Sequence, residues 1–224
     1  MYEIKNSKPV KENERVRYRC ARCAECCRHV KGAVIVESWD AYRLARYLGM
    51  EMADFYLRYT DMFFLEDTDF PIFALNAVGR EEACVFLDGS RCTVQNAKPR
   101  TCRLYPFWVA PDEPDCTTFT YHLSTERKHH PKGSIVRAKD WMKEHFWKED
   151  QAFLKEEWQS VRVIAPLMRE AARSGVKSEV IHKLLLYFRY FAFELGEPFL
   201  PQQHRNNCEL IAVLIRMIKE NHYE

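Results

Sequence analysis

The chain has 224 residues, with 34 Lys or Arg against 32 Asp or Glu, so its formal net charge is +2. A chain of this length holds one or two domains and a substantial core, so a metal is not needed merely to rescue a tiny fold. The near-balance of charge argues against a broad surface for nucleic acid or for anionic membranes.

No apolar run in the sequence approaches the roughly 18 residues of a membrane-spanning helix. Residues 1–10 also lack the apolar core of a signal peptide. We therefore expect a cytoplasmic protein without nucleic-acid or membrane partners.

The N-terminal part of the chain predicts an arm, a strand and two helices. Residues 1–19 are polar and charged, which predicts a weakly ordered arm. The β-branched residues within 29–36 favour a short strand. Ser38 and Gly49 are the predicted cap and the predicted C-terminal end of a helix between them, and a second short helix is predicted over 51–59.

Short strands broken by turns are predicted over residues 61–110. Aromatic and aliphatic residues favour three such strands, at 63–65, 71–75 and 84–87. Asp88-Gly89-Ser90 predicts a tight turn. Pro99 and Pro106 bracket a segment that we expect to be irregular and that carries Cys102.

Beyond residue 136 the apolar residues recur at helical spacing, and cysteine nearly vanishes. Three helical stretches are predicted, at 142–161, 178–195 and 210–218. Pro166 is expected to start or kink a helix, and the helices are expected to pack as a bundle. Cys208 lies one turn before Ile211 on an apolar face, which predicts a buried structural thiol.

The seven glycines are too far apart to form a nucleotide-binding loop, because no two lie within six positions of one another. A dinucleotide fingerprint needs glycines two and three apart, and a Walker loop needs glycines five apart, followed by Lys and Ser or Thr. Both are excluded. The usual glycine-rich loop for S-adenosylmethionine in Rossmann-like methyltransferases is excluded too, although other ways of binding that molecule stay open.

Eight of the nine cysteines fall in the first 116 residues. An odd total with two adjacent members is a poor disulfide framework, and clustered thiols in a chain without an export signal indicate metal ligands or catalytic groups. In Cys20-Ala-Arg-Cys23-Ala-Glu-Cys26-Cys27, the C-x2-C-x2-C spacing can direct three sulfurs at one centre, as in bacterial ferredoxins. Cys27 directly follows Cys26, so we expect it to serve a second metal or a distant partner.

The second group of thiols is spaced more widely, at Cys84, Cys92, Cys102 and Cys116. Zinc ribbons prefer two C-x2-C knuckles, which only the first group offers, so a plain ribbon is not favoured. Bound thiolates leave a net negative charge that nearby cations would stabilise. Candidate cations within two residues of a candidate ligand include Arg22, Arg28, Arg91, Arg100 and Arg103.

These patterns together predict an α+β protein. Its N-terminal half is expected to be irregular and cysteine-rich, with short strands and two short helices around a metal site, and its C-terminal half is expected to be helical. The predicted division is a polar arm at 1–19, a cysteine-cluster metal-binding domain at 20–135, and a helical domain or subdomain at 136–224 packed on it.

At the cysteines the sequence resembles the CxxCxxCC family of zinc- or iron-chelating proteins, also called YkgJ-type cysteine-cluster proteins. The resemblance covers about residues 20–133 and is carried by three motifs in order: Cys20 to Cys27, Cys84-Val-Phe-Leu-Asp-Gly-Ser-Arg-Cys92, and Pro99-Arg-Thr-Cys102-Arg-Leu-Tyr-Pro-Phe107. Flagellin lysine N-methylases are similar in the same cysteine region, which implies a link to iron–sulfur and S-adenosylmethionine chemistry. The helices after residue 136 carry no motif that matches those enzymes.

The sequence departs from the family at His129-His130-Pro131-Lys132-Gly133, where the family often has a cysteine before a Pro-Gly stretch. Either His130 replaces a sulfur, or Cys116 takes over, or one site is incomplete. A histidine ligand would favour zinc or a modified cluster with a raised potential. The candidate metal ligands are Cys20, Cys23, Cys26, Cys27, Cys84, Cys92, Cys102, Cys116 and His130. Arg103 and Tyr105 are the candidate cofactor-binding residues.

Three functions fit these motifs. The first is an iron–sulfur protein for electron transfer or a protein-modification reaction, in which Cys20, Cys23, Cys26 and one distant thiol hold a [4Fe–4S] cluster. The second is a non-enzymatic zinc module whose helical half binds a protein partner. The third is a protein-lysine N-methylase that uses S-adenosylmethionine, with Tyr105 in a pocket beside the cluster. No catalytic residue is assigned by the sequence.

Overall fold

The computed structural model describes residues 7–18, 23–65, 70–112, 116–125 and 134–221. The α-helices within these ranges are α1 (Ser38–Leu48), α2 (Met52–Tyr59), α3 (Arg100–Leu104), α4 (Ala138–His145), α5 (Lys148–Arg173), α6 (Ser178–Leu186) and α7 (Phe199–Asn221). The predicted mixture of helix and strand and the helical C-terminal half are confirmed. Among the helices described, none combines the length and the apolar character needed to cross a membrane.

The strands are short and form several small antiparallel sheets. They are β1 (Ser7–Val10), β2 (Arg15–Arg17), β3 (Thr60–Phe64), β4 (Pro71–Leu75), β5 (Ala77–Val78), β6 (Ala83–Cys84), β7 (Leu87–Asp88), β8 (Arg91–Cys92), β9 (Phe107–Pro111), β10 (Phe119–Ser124) and β11 (Ile135–Arg137). Three strands pair in the order β1-β10-β9, and the others pair as β2 with β11, β3 with β4, β5 with β6 and β7 with β8.

The prediction of a weakly ordered arm is wrong for residues 7–18. Strand β1 pairs with β10 along its whole length, and β2 pairs with β11 from Arg15 opposite Arg137 to Arg17 opposite Ile135. Val10 and Val16 are buried between their polar neighbours. An alternation over three or four residues is too short a signal to show in the sequence, but two long-range partners make it a strand.

The two predicted N-terminal helices are confirmed as α1 and α2, but the strand predicted over 29–36 is wrong. Residues 31–33 form a turn around Gly32, whose φ is 67°. Only a single bridge joins Ile35 to Ala74 of β4. Ser38 is the first residue of α1 rather than its cap, which is Glu37, and Gly49 ends the helix in the left-handed conformation as predicted.

The region from residue 60 to residue 106 contains three small hairpins and α3. The predicted turn at 88–90 is confirmed, since Leu87 pairs with Cys92 across it. The strand predicted over 84–87 is divided, because its two ends belong to β6 and β7. The segment between Pro99 and Pro106 is helical rather than irregular.

The helix predicted over 142–161 is two helices, α4 and α5. The break lies at Phe146 and Trp147, where the Trp147 N–H donates to Asp150 Oδ2 at 2.8 Å and caps α5. Pro166 lies inside α5 and starts no new helix. Helix α6 ends earlier than predicted and continues as a π-helical turn, Tyr187–Phe191.

Two hydrophobic clusters make up the interior of the described chain. The larger one combines strands and helices of the cysteine-rich half with Phe146, Phe153 and Phe199 of the helical half. The smaller one lies among α5, α6 and α7 and includes Ile164, Leu185, Leu210 and Leu214. The cysteine-rich half therefore packs directly on the helical half.

Candidate metal centre

Four thiols of the three cysteine motifs lie in or against the larger hydrophobic cluster, namely Cys27, Cys84, Cys92 and Cys102. Cys26 and Cys27 lie in a 3-10 turn, Glu25–Cys27, with Cys26 Sγ 3.9 Å from Cys27 Sγ. The other three thiols are Cys84 at the end of β6, Cys92 at the end of β8 and Cys102 in α3. We call these five residues the thiol cluster.

Burial is the main reason why the thiols of Cys84, Cys92 and Cys102 have raised pKa values, and the charges of other members of the thiol cluster contribute less. Burial raises the pKa of the Cys102 thiol, and the negative charges that Cys84, Cys26 and Cys92 would carry raise it further. Burial is also the main cause of the raised pKa of Cys84 and of Cys92, and Cys26 contributes in both. The thiols of the first and later motifs are therefore near enough for the charge of one to affect the pKa of another.

The Cys27 thiol has a raised pKa, which favours its protonated form. The hydrogen bond between its thiol and that of Cys26 raises its pKa most, followed by burial and by the charges of Cys26, Cys102 and Cys84. Crowded thiols in an apolar site resist becoming thiolates together, unless a cation compensates their charge. A bound metal supplies that compensation and deprotonates its ligands.

Two backbone hydrogen bonds hold the first motif against the segment that leads to Cys84. The backbone N–H of His29 donates to Glu81 O at 2.7 Å, and that of Val30 donates to Glu82 O at 3.0 Å. The side chain of Arg28 reinforces this contact, with Nε 2.7 Å from Glu81 Oε2 and Nη1 donating to Cys23 O at 3.2 Å. These bonds set the position of Cys26 and Cys27 relative to β6.

Helix α3, which carries Cys102, is fixed at its start by two carboxylates next to or within α1. The Arg100 backbone N–H donates to Asp40 Oδ1 at 2.7 Å, and the Arg100 guanidinium pairs with Glu37. Asp40 is 1% exposed, and burial raises its pKa to about 7 although the charge of Arg100 acts in the opposite direction. Sequence reasoning did not identify either carboxylate, because both lie far from any cysteine.

Arg103 fixes the end of α3 to the helical half. Its Nη2 lies 2.5 Å from Asp150 Oδ2, its Nε donates to His145 O at 2.9 Å, and its guanidinium stacks 3.5 Å from the centre of the Trp147 ring. Asp150 is fully buried and also accepts a hydrogen bond from Trp39 Nε1 at 3.1 Å. The Arg103 side chain thereby positions the helix of Cys102.

The charges of the motif arginines are mostly paired with carboxylates rather than directed at sulfur. Arg28, Arg100 and Arg103 each form an ion pair. The cation that lowers the pKa of Cys92 and Cys102 is Lys98, which directly precedes the third motif. Lys98 lies four residues before Cys102, so its sequence position alone does not mark it as a neighbour of the thiols.

Residues 19–144 match the family CxxCxxCC, whose description is “Putative zinc- or iron-chelating domain”. The match spans more than half of the chain. The chain belongs to the CxxCxxCC family. The match confirms the resemblance and extends it as far as α4. No solved structure matches the chain.

Several predicted ligands of this CxxCxxCC protein lie outside the thiol cluster or outside the described residues. Cys23 is exposed, at the start of the 3-10 turn segment. Cys116 is buried against α5, with its Sγ 4.0 Å from Leu154 O, and Lys155 is the charge that influences it. Cys20 and His130 belong to stretches outside the described ranges.

Tyr105, the second candidate cofactor-binding residue, lies beside the segment that precedes the first motif. Its ring packs edge-on against Tyr18 with 5.9 Å between ring centres. Tyr18 also packs against Trp141 of α4 at 5.3 Å. The CxxCxxCC region and α4 thus meet through aromatic contacts next to the chain leading to Cys20.

The donor set suits a soft or borderline metal. Thiolates select zinc, cuprous copper or iron–sulfur clusters over hard cations such as magnesium. Within the described ranges, no group of three or more His, Cys, Asp or Glu side chains is close enough to hold a metal ion. The thiol cluster is therefore a candidate metal centre by its chemistry, and its described thiols are not arranged as the ligands of one ion.

Proposed function

We propose that this protein binds an iron–sulfur cluster at the thiol cluster, with Cys20, Cys23 and Cys26 as three ligands and a thiol of the later motifs as the fourth. The observation that carries the proposal is that Cys27, whose Sγ is 3.9 Å from that of Cys26, shares one hydrophobic cluster with Cys84, Cys92 and Cys102. The CxxCxxCC family membership supports metal chelation in general.

The number of thiols favours a cluster over one zinc ion. A structural zinc takes four ligands in a tetrahedron. The thiol cluster alone supplies five sulfurs, and the first motif adds Cys20 and Cys23 in the spacing that ferredoxins use. The proposal assigns Cys27 and the remaining later thiols to a second metal.

The surroundings of the thiol cluster suit a centre that changes its charge. Apolar residues of the larger hydrophobic cluster pack against Cys27, Cys84, Cys92 and Cys102, which limits solvent access. Lys98 offsets part of the negative charge of the bound thiolates. Burial and nearby charge are two of the factors that set the reduction potential of an iron–sulfur cluster. Electron transfer, either alone or in a protein-modification reaction, is the function that we propose.

Anaerobic purification, followed by an optical spectrum and by iron, sulfide and zinc analysis, tests the proposal. We expect a brown protein that contains iron and inorganic sulfide, because thiolate-to-iron charge transfer absorbs visible light. The Cys26→Ser variant should lose metal, whereas Cys208→Ser, which changes an exposed thiol of α7, should retain it. Iron and sulfide near zero in the wild-type protein would exclude the proposal.

A zinc module is the second candidate function, and the short strands around the cysteines favour it. Strands β5 to β8 have two residues each, and a two-stranded hairpin of that size is not stable by itself. A structural zinc would hold these hairpins together and leave the helical half free to bind a protein partner. A colourless protein that retains stoichiometric zinc through purification would favour this function.

If the similarity of the cysteine region to lysine N-methylases extends to activity, this protein would methylate lysine side chains of other proteins. The proposed iron–sulfur cluster would then take part in that reaction. Tyr105 packs against Tyr18, which precedes the first motif by two residues in the sequence, and the methylase function would place its cofactor beside Tyr105. Calorimetric titration with S-adenosylmethionine tests this directly. No heat of binding, together with no methyl transfer to a lysine-containing protein, would remove the methylase function but not the metal site.

A further inference from the structure

A cysteine, a histidine and a glutamate line up on the outer surface of the helical half. Cys208 lies on α7 and is exposed, contrary to its prediction as a buried structural thiol. Its Sγ is 3.7 Å from Nε2 of His204, which lies one helical turn earlier. The other ring nitrogen of His204, Nδ1, is 3.3 Å from Oε1 of Glu156 on α5.

The glutamate is itself held by a chain of hydrogen bonds that begins in the interior. Glu156 Oε1 also accepts from Nδ2 of the buried Asn207 at 3.2 Å. Asn207 Oδ1 accepts from Arg189 Nη1 at 3.3 Å, and Arg189 pairs with Glu157. The orientation of Glu156, and through it that of His204, is therefore set by a buried ion pair.

This arrangement gives each nitrogen of His204 a different partner. When Nδ1 carries the ring proton and donates it to Glu156, Nε2 has a lone pair directed at the thiol of Cys208. A nucleophile within reach of a base, with the base oriented by a third group, is the pattern that activates side chains for covalent chemistry. Cys208, His204 and Glu156 are not placed to hold a metal ion together.

We propose that Cys208 is a reversible thiol-modification site that reacts with low-molecular-weight disulfides. His204 Nε2 takes the proton from Cys208 Sγ as this sulfur attacks one sulfur of the disulfide. The bond between the two sulfurs of the small molecule breaks, a mixed disulfide forms at Cys208, and the thiolate that leaves takes the proton from His204. The exposed position gives the small disulfide access, and an excess of thiol reverses the step.

The test follows mixed-disulfide formation at Cys208 in the full-length protein during incubation with oxidised glutathione. Peptide mass spectrometry reports Cys208 separately from the other eight cysteines. We expect His204→Gln to slow modification of Cys208 by about tenfold. This effect is smaller than the one that a positioned general base has in an enclosed active site, because the site on α7 is open to water. Glu156→Gln should have a smaller effect of the same sign.

The matched control is Glu209→Gln, which removes a carboxylate next to Cys208 in the sequence that is exposed and makes no contact with His204 in the described structure. This variant should react at the wild-type rate. Thermal unfolding checks that all variants fold, and since His204 and Cys208 are exposed, we expect unchanged midpoints. Equal rates in wild type and His204→Gln, or no modification of Cys208 in the folded wild type, would overturn the proposal.

Discussion

Arg103 and Asp150 lie 47 positions apart in the sequence and form one buried ion pair. The guanidinium is shielded on one face by Trp147, and the carboxylate accepts hydrogen bonds from Trp39 and Trp147 as well. Both side chains of the pair are at least nine-tenths buried. The pair therefore fixes the position of α3 relative to α5. Through this pair Arg103 positions the helix that carries Cys102.

Replacing Arg103 tests that role. Arg103→Ala leaves the Asp150 carboxylate buried without its cation, so we expect a loss of about 3–5 kcal/mol in the free energy of unfolding. Urea denaturation measures the change. The exposed Arg91, next to Cys92, provides the control, because Arg91→Ala should change stability by less than about 0.5 kcal/mol. Equal effects of the two substitutions would contradict the positioning role.

The buried carboxyl of Asp40 predicts a pH effect on stability. The pKa of Asp40 is raised from 3.8 to about 7 in the folded protein. The contribution of this carboxyl to the free energy of unfolding is therefore fully present below pH 3.8 and is lost as pH rises through 7. Asp40→Asn keeps the oxygen that accepts from Arg100 but does not titrate. The stability of wild type relative to this variant should fall by on the order of 4 kcal/mol between pH 4 and pH 8.

Urea denaturation of both proteins at several pH values checks this prediction, since the difference between them cancels any pH dependence that both share, including that of metal binding. Asp61→Asn is the control, because Asp61 is an exposed acid on β3. Its stability should parallel the wild type at every pH. A difference between wild type and Asp40→Asn that stays constant from pH 4 to pH 8 would show that Asp40 does not titrate as described.

At the scale of elements, local signals predicted α1 and α2 well, because their caps and ends are encoded within a few residues. Gly49 shows how specific such a signal is. It ends α1 with a φ of 68°, and an added Cβ would meet no atom within 4 Å. The need for glycine at this position therefore comes from the backbone conformation alone.

Gly49→Ala should lower the free energy of unfolding by about 1–2 kcal/mol, the usual strain of a left-handed conformation with a side chain. Gly196 is the matched control, because it also has open space around it but no positive φ. Gly196→Ala should be neutral or stabilise by up to about 1 kcal/mol, since it restricts the unfolded chain. Thermal or urea unfolding of the pair separates backbone strain from crowding.

The strands that were predicted wrongly from the sequence depend on pairing with segments far away in the chain. The β-branched residues near 34–36 do lie beside β4, with Leu75 N–H donating to Val34 O and Val36 N–H to Phe73 O, but the preceding turn limits them to one bridge. Strands β1 and β2 exist because β10 and β11, more than a hundred residues later, pair with them. Short windows of sequence do not contain such information.

The candidate site shows the same division between local and distant information. The cysteines themselves are recognisable from their spacing, and the convergence of the first motif with the later ones on one metal stays a prediction. Asp40, Asp150 and Lys98, which hold or tune the site, are ordinary charged residues in the sequence. Only the fold shows that the first two are buried and that the charge of the third acts to lower the pKa of two thiols.

At the scale of the whole molecule, the two halves of the chain share one hydrophobic cluster. Trp39 and Tyr42 of α1 pack against Phe199 of α7 at ring distances of 5.2 Å each, and Phe199 also contacts Phe153 of α5. Trp141 of α4 donates from Nε1 to Leu104 O at 2.9 Å. The cysteine-rich half therefore completes its core with side chains from beyond residue 136.

A fragment that ends at residue 135 should consequently fail to fold as a unit. It would expose the faces of α1 and α3 that Phe199 and Trp141 cover, and it would leave Arg103 without Asp150. We expect no cooperative urea transition by circular dichroism, and association of the fragment in sedimentation. A fragment with a sharp transition and full metal content would show that the division at residue 135 separates independent domains.

The ion pair between Arg103 and Asp150 also has a genetic consequence. A screen for variants that no longer retain metal would recover substitutions at the cysteines, but the hits would extend to Asp150, which no thiol contacts in the described structure. A second substitution would distinguish these variants from the cysteine variants. A change that restores a matched pair of side chains at positions 103 and 150 would restore metal retention without altering any cysteine.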